Sequence, residues 1–235
     1  LTGNEYIVKT IVTTETIRTI AEAQHIKMYD CFTGFKWIAN VMRENEGKAR
    51  YLGGGEESYG FLAEDFVRDK DSVSAISLMA EIAAWAKDKG LNMTDMLIDI
   101  YMKYGFSREK GISLVRKGKS GAEEIIALMK QFRENPPKEI AGSPVVTVKD
   151  FQSLVETNVA TGETKKLDMP ATSNVLQYYT ADRTKVSVRP SGTEPKIKFY
   201  IEVHDTLASA DEYKATEARA DEKINRIAKE FGITK

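Results

Sequence analysis

Cysteine is nearly absent. Cys31 is the single one among 235 residues, so no internal disulfide can form and no zinc-finger spacing exists. That fits a reducing compartment and makes a cytoplasmic location the expectation. The chain also lacks any uncharged apolar run of the roughly 18–20 residues that a membrane helix needs, and no basic stretch leads into an apolar core near its N-terminus. A membrane partner is not expected. An excess of one charge is missing too: 34 basic side chains face 35 acidic ones, which leaves no long-range field to recruit nucleic acid, so any anion site must be local. There is no internal repeat. The first residue is Leu1 rather than methionine and a strand-like run follows at once, so the natural start is expected upstream.

What is present suffices for one large domain or two modest ones, of which two are expected, since 42% of the residues are hydrophobic. YIVKTIVT (6–13) is rich in β-branched residues and reads as a strand, after which Thr14, Glu15 and Thr16 open a helix with Ile17, Ile20 and Ala21 on one face. HIKMYDC (25–31), TGFKWIANVMREN (33–45) and ARYLGGG (49–55) follow as strand, helix and strand. Such β-α-β-α-β alternation predicts a parallel sheet with right-handed crossovers and ligands at the carboxyl ends of its strands. Two loops lie there, Cys31 to Gly34 and Gly53 to Gly60. A long helix is expected over 72–89, with Val73, Ile76, Met79, Ala80, Ala83 and Ala86 turned to the core, then a helix over 93–105 and an extended return over 106–118. The basic, glycine-containing KGKSG (117–121) places a boundary near Lys119, giving domains 1–119 and 120–235.

The second part begins with a helix stopped by Pro136 and Pro137, continues with strands at 144–151, 175–180, 185–188 and 196–203, and ends in a helix from about Ala210 to Phe231. Ala220, Ile224, Ile227 and Phe231 form one apolar stripe on that helix, while 155–174 reads as a mobile loop or loose hairpin. The expected fold class is α/β: a three-layer α/β/α domain with a mostly parallel sheet, then a smaller α+β domain with an antiparallel sheet packed by helices.

Four short segments carry chemistry. In RPSGTEP (189–195), Arg189 can grip a phosphate with two parallel hydrogen bonds, Ser191 and Thr193 add hydroxyls, and Gly192 lets successive N–H groups turn toward an anion. A decorated turn accounts for the same residues, and Lys196 and Lys198 on the next strand lend charge or are simply solvated. In GGGEESYG (53–60), Glu56 and Ser58 suit vicinal sugar hydroxyls; a metal site, a glycosidase acid/base pair and a solvated acidic loop are the other readings. In TGFKW (33–37), Thr33 and Gly34 at a helix N-terminus attract anions and hydroxyls, or Thr33 only caps the helix. In RDKD (68–71), Lys70 is a proton donor if it folds back over the glycine loop, and otherwise part of a solvated run.

These loops, in this order, resemble the C-terminal half of the α-D-phosphohexomutase family, which includes phosphoglucomutase and phosphomannomutase. TGFKW is similar to the Thr-Gly loop of the family's third domain, GEES (55–58) to its sugar-recognition loop, and RPSGTEP to the phosphate loop of its fourth. The resemblance implies that Thr33, Gly34, Glu56 and Ser58 meet the sugar, and that Arg189, Ser191, Gly192, Thr193 and Lys198 hold the phosphate not being transferred. Lys70 lies in a context similar to the Arg-x-Lys-Asp of the phosphoglucomutase branch and is the candidate general acid/base; the histidine that some bacterial members carry after Glu-x-Ser is replaced here by Tyr59-Gly60-Phe61.

The implied reaction interconverts sugar 1-phosphate and sugar 6-phosphate, of glucose or mannose, through a phosphoserine enzyme and a bisphosphorylated sugar that also acts as activator. The family's phosphoserine loop and its aspartate-rich Mg2+ loop are both missing from these 235 residues, so no metal ligand is assigned here. The implied partners are a hexose phosphate and the N-terminal domains of the same parent chain, with the boundary near Lys119 as a hinge and the chain alone inactive. LTGNE (1–5) resembles the segment after the Mg2+ loop, with the family's next helix lost near Asn4. The alternative is a non-catalytic module that binds sugar phosphate.

Overall fold

The computed structural model of the chain describes every residue except Lys117, Thr193 and Lys235, and the backbone alone of Lys119. It divides into two compact units, Leu1–Gly105 with Leu207–Asp211, and Phe106–Thr206 with Glu212–Lys235.

The first unit contains β1 (Glu5–Thr10), α1 (Thr16–Ala23), β2 (Lys27–Cys31), α2 (Phe35–Asn45), β3 (Arg50–Glu56), β4 (Gly60–Ala63), α3 (Ser72–Asp88) and α4 (Met93–Tyr104). Its sheet has the order β2-β1-β3-β4, with β1 parallel to both neighbours and β4 antiparallel to β3. The alternation of YIVKTIVT sends Tyr6 and Val8 to one face. There they meet Cys31, Phe35, Ile38, Met42, Tyr51 and Leu62 in a buried cluster. Tyr6 sets its ring edge-on to Tyr29 and Tyr51, each with centroids 5.6 Å apart.

The glycine run of β3 has a packing cause. A Cβ on Gly54 would stand 2.4 Å from the Val8 carbonyl oxygen and 2.6 Å from Tyr51 Oη, and one on Gly55 would stand 2.7 Å from the Gly60 carbonyl oxygen. These glycines let β3 lie close against β1 and β4, so the backbone they bring near is the protein's own. Gly54→Ala is expected to destabilise the chain by about 1–3 kcal/mol, because the clash is with main chain that cannot swing aside. Equilibrium denaturation of the two proteins measures it; equal midpoints would refute the packing role.

α3 departs from its expected place in the core. Ala86 is its one buried residue, while Val73 and Ile76 are 72% and 70% exposed. Asp71 caps the helix, its carboxylate accepting from the N–H groups of Val73 and Ser74 at 3.3 and 2.8 Å. Those bonds, with that of the Ser74 side chain, hold the Asp71 carboxyl below its ordinary range.

The second unit contains β5 (Phe106–Val115), α5 (Gly118–Glu134), β6 (Glu139–Ile140), β7 (Ser143–Asp150), β8 (Val155–Asn158), β9 (Thr164–Lys166), β10 (Leu176–Thr180), β11 (Lys185–Pro190), β12 (Lys196–Asp205) and α6 (Tyr213–Glu230). The strands form an antiparallel sheet in the order β5-β12-β11-β10-β7-β8-β9, with β6 on β7. The units part at Gly105, earlier than the boundary the basic stretch suggests near Lys119. The cause is β5, which pairs along its whole length with β12, from Phe106 opposite Asp205 to Val115 opposite Lys196. The polar stretch after Phe151 holds a hairpin, β8 with β9, as one of its two expected forms.

The apolar face expected for β11 and β12 is buried: Val186, Val188, Ile197 and Phe199 have no exposed surface. α5 and α6 cover it, with Phe199 centred 6.0 Å from both Phe132 and Phe231, and each such buried side chain stabilises by about 1.5–3 kcal/mol. The opposite face is polar and nevertheless closed. Lys185, Ser187, Gln177 and Glu202 are all 2% exposed or less. Lys185 Nζ lies 2.8 Å from Glu202 Oε2, His204 Nε2 lies 3.2 Å from Glu202 Oε1, and Gln177 Nε2 donates to Ser187 Oγ at 2.8 Å.

Candidate functional site

In the first unit, segments far apart in sequence meet at the carboxyl ends of the parallel strands. Gly34, at φ +109°, forms the N-cap of α2, a conformation that favours glycine. Its N–H donates to Glu56 Oε1 at 2.5 Å, which ties the Thr-Gly loop to the end of β3. Thr33 precedes the cap, which, being a glycine, bonds no helix N–H through a side chain of its own.

The Gly-Glu-Glu-Ser segment is the tip of the β3–β4 hairpin rather than an open loop: Glu56 pairs with Gly60 across it. Glu57 is reached by Thr10 Oγ1 at 3.5 Å and by Ser58 Oγ at 2.9 Å. Ser58 is exposed at the tip, and Tyr59, at φ +57°, is fully exposed beside it.

Lys70 does fold toward this end. Its ammonium stands 5.8 Å from the centroid of Phe35, the residue after Gly34, and 3.4 Å from Asp69 Oδ1. The next residue is anchored to β4, Asp71 N–H donating to the Phe61 carbonyl at 3.1 Å. Lys70 also lines a cavity of about 910 Å3 together with Tyr59, Phe61, Ala75, Ile76 and Met79. Gly34, Glu56, Ser58 and Lys70 thus occupy one end of the unit.

Sequence reasoning missed the ion network beneath them. Lys9 has no exposed surface, and its ammonium lies 2.9 Å from Asp30 Oδ1, 3.0 Å from Glu15 Oε1 and 3.4 Å from the Thr13 carbonyl. Arg18 closes the network by pairing with both Glu15 and Asp30. These pairs brace the ends of β1 and β2 from which Thr10 and the Thr-Gly loop project. The available signal was a lysine inside an otherwise apolar, β-branched strand, since a lysine buried in such a strand needs paired anions. Neighbouring Cys31 is buried as well, and burial pushes its thiol up to about 12.

In the second unit, Arg189 lies at the end of β11, directly opposite Lys198 on β12. Two cations side by side at a strand end are mutually repulsive unless an anion joins them. The turn between them is held by Ser191 N–H donating to the Lys196 carbonyl at 2.7 Å, Lys196 N–H to the Glu194 carbonyl at 2.7 Å, and Glu194 N–H to Ser191 Oγ at 3.3 Å. Gly192 has open space where a Cβ would stand. Thr193 lies outside the described residues.

Lys196 is occupied: its Nζ is 2.6 Å from Glu194 Oε2. That hydrogen bond and charge hold the Glu194 carboxyl below its ordinary range. Lys198, reaching 5.9 Å from the Tyr200 ring centroid, is the lysine that stands beside Arg189. Among the described residues no group of three or more His, Cys, Asp or Glu side chains is placed to share a metal ion, and no helix is long and apolar enough to cross a membrane.

Residues 1–104 match the family model described as phosphoglucomutase/phosphomannomutase, alpha/beta/alpha domain III, and residues 128–220 match the phosphoglucomutase/phosphomannomutase C-terminal domain. The phosphoglucomutase of Staphylococcus haemolyticus is 34% identical over 202 residues, covering 86% of this chain and 36% of that protein. The Staphylococcus epidermidis phosphoglucomutase is 35% identical over 198 residues, covering 84% of this chain and again 36% of the relative. The chain therefore spans little more than a third of the relatives it matches.

Among solved structures, the open form of the Paramecium phosphoglucomutase pp63/parafusin aligns with a TM-score of 0.57 at 15% identity over 94% of this chain and 38% of that one. A putative phosphomannomutase from Thermus thermophilus gives 0.56 at 14% identity over 93% of this chain and 37% of that one. At such identities these likenesses speak for the fold. With both family models matched in order along the sequence, the chain belongs to the phosphoglucomutase/phosphomannomutase family, of which it carries the third and the C-terminal domains.

Proposed function

We propose that the chain is the substrate-binding part of a phosphohexomutase that interconverts the 1-phosphate and 6-phosphate of glucose or mannose. The observation that carries this reading is the convergence of Gly34, Glu56, Ser58 and Lys70 in one unit, with the Arg189–Lys198 pair of cations in the other. Glu56 and Ser58 read ring hydroxyls, with Thr33 and Gly34 closing one side. A carboxylate and a hydroxyl at a hairpin tip can bind a diol from either direction, which suits a sugar that must turn around between two phosphoryl transfers. Arg189 and Lys198, with Ser191, Gly192 and Thr193, hold the phosphate at the end that is not reacting. Lys70 is the candidate group for moving the proton of the attacked or leaving hydroxyl.

The phosphoserine and the Mg2+ that such a reaction uses are assigned to the remainder of the parent chain, since neither of the loops that would carry them occurs in these 235 residues. A sugar bisphosphate serves as intermediate and activator, and a cytoplasmic setting suits the single buried cysteine. This chain alone, given glucose 1-phosphate, Mg2+ and glucose 1,6-bisphosphate, is expected to give no glucose 6-phosphate by phosphorus NMR. In the complete enzyme, Glu56→Ala is expected to lower kcat/KM by at least tenfold. Turnover by the chain alone would remove the fragment reading, and an unaltered kcat/KM for Glu56→Ala would leave a sugar-phosphate module without this catalytic use.

A further inference from the structure

Glu57 lies in sequence between the two residues proposed to read the sugar, and both of its oxygens face hydroxyls. Oε1 accepts from Ser58 Oγ at 2.9 Å, and Oε2 stands 3.5 Å from Thr10 Oγ1. Thr10 is the anchored end of this series: it has no exposed surface, ends β1, and sets its Oγ1 2.8 Å from that of Thr13. A hydroxyl owns one proton and two lone pairs, whereas an ionised carboxylate can only accept. The bond from Ser58 to Glu57 therefore uses the one proton that Ser58 has, in a charge-assisted contact stronger than a neutral one. What Ser58 presents beyond the hairpin tip is lone pairs. Glu56 has the same polarity, since its Oε1 accepts the Gly34 N–H at 2.5 Å and an ionised carboxylate has no proton to offer a ligand.

We infer that Glu57 fixes Ser58 as a hydrogen-bond acceptor, so that this end of the first unit selects a ligand able to donate from two neighbouring ring positions. Glu57 is a positioning residue here, acting through the Ser58 hydroxyl rather than by touching the sugar. A ring hydroxyl can donate to Ser58 and is taken. A ring position that carries only an acceptor, such as fluorine, sets lone pairs against lone pairs, and a site built to bond a hydroxyl rejects the analogue that lacks it. Without Glu57 the Ser58 proton is free to turn toward the ligand, and the distinction weakens. A bond that only stiffened the hairpin tip would behave otherwise: its loss would weaken every sugar alike and leave the preference among them unaltered. The inference rests on the proposed use of Glu56 and Ser58 as readers of ring hydroxyls.

The test uses the complete enzyme, glucose 1-phosphate, and analogues of it in which fluorine replaces one secondary hydroxyl at a time. Dissociation constants by calorimetric titration without Mg2+, and kcat/KM with it, are measured for wild type, Ser58→Ala, Glu57→Met and Glu57→Gln. Wild type is expected to disfavour the analogue fluorinated at one position by roughly tenfold or more. Ser58→Ala identifies that position by losing the preference there. Glu57→Met, of similar length but without an oxygen, is expected to narrow the preference at the same position by roughly fivefold, about the worth of one hydrogen bond, and to leave the other positions as in wild type. Glu57→Gln is expected to keep most of it, because the amide oxygen still accepts the Ser58 proton. An equal loss for all sugars in Glu57→Met, the same narrowing in Glu57→Gln as in Glu57→Met, or a wild type that binds every analogue as tightly as glucose 1-phosphate would overturn the inference. The two measurements separate the two readings. Fluorine selectivity in binding that depends on Glu57, without turnover, leaves the inference and removes the mutase function, whereas turnover with a preference that Glu57→Met does not change leaves the function and removes the inference.

Discussion

Arg189→Ala in the complete enzyme is expected to lower kcat/KM by roughly 10- to 100-fold, with most of the loss in KM. A guanidinium holding a phosphate through two parallel hydrogen bonds makes charge-assisted contacts worth about 1.5–3 kcal/mol, which sets that range. Lys198, directly opposite in the strand register, keeps one positive charge in place and limits the loss. On the proposed function the phosphate concerned is the one that does not react, so its contacts would be equally present in the ground and transition states, and losing them would be felt as binding. Arg189→Lys is expected to recover only part, because an ammonium supplies the charge without the planar fork. Steady-state kinetics over a range of glucose 1-phosphate concentrations measures all three enzymes. Unchanged kinetics for Arg189→Ala would reduce the Arg-Pro-Ser-Gly-Thr-Glu-Pro stretch to a decorated turn.

That stretch was legible because both flanking strands alternate cleanly. Val186, Val188, Ile197 and Phe199 are buried as their spacing requires, so the seven residues between them stood out as a turn richer in donors than a hairpin needs. The other half of the candidate site was legible in its residues but not in its form. Gly53 to Gly60 read as a loop at the end of a strand, whereas the glycines' cause is the closeness of β3 to the Val8 and Gly60 carbonyls, a contact between strands that no local pattern announces. β5 was legible as an extended return, but its partner was not. FSREKGISLV is polar and glycine-broken, and what makes it a strand is β12, which follows some ninety residues later. The periodicity of α3 correctly indicated a helix but not its surroundings, since Ala86 is its one buried residue.

The largest stability effect is expected from the Lys185–Glu202 pair on the closed polar face of the second sheet. Lys185→Met should destabilise the chain by about 3–5 kcal/mol, the usual cost of leaving a buried charge without its partner. Glu202 is 2% exposed. Burial pushes its carboxyl upward, but Lys185 and His204 outweigh that and hold it below the ordinary value of 4.5. A carboxyl with a depressed native pKa contributes stability that is complete above the unfolded value and fades as pH falls below it. The wild-type pair should therefore be fully effective from pH 5 upward.

With the ammonium gone, burial becomes the leading effect on Glu202 and favours its protonated form. The penalty of Lys185→Met is accordingly expected to be smaller at pH 5 than at pH 8. Lys185→Met with Glu202→Leu, which removes both charges, should regain most of the loss, because an apolar pair of similar size carries no desolvation cost. Both tryptophans, Trp37 and Trp85, belong to the first unit. Urea denaturation of Lys185→Met followed by far-ultraviolet circular dichroism should therefore lose signal at lower urea than tryptophan fluorescence does. A Lys185→Met protein within about 1 kcal/mol of wild type at pH 8 would show that water reaches Glu202 and that the polar face of the second sheet is open.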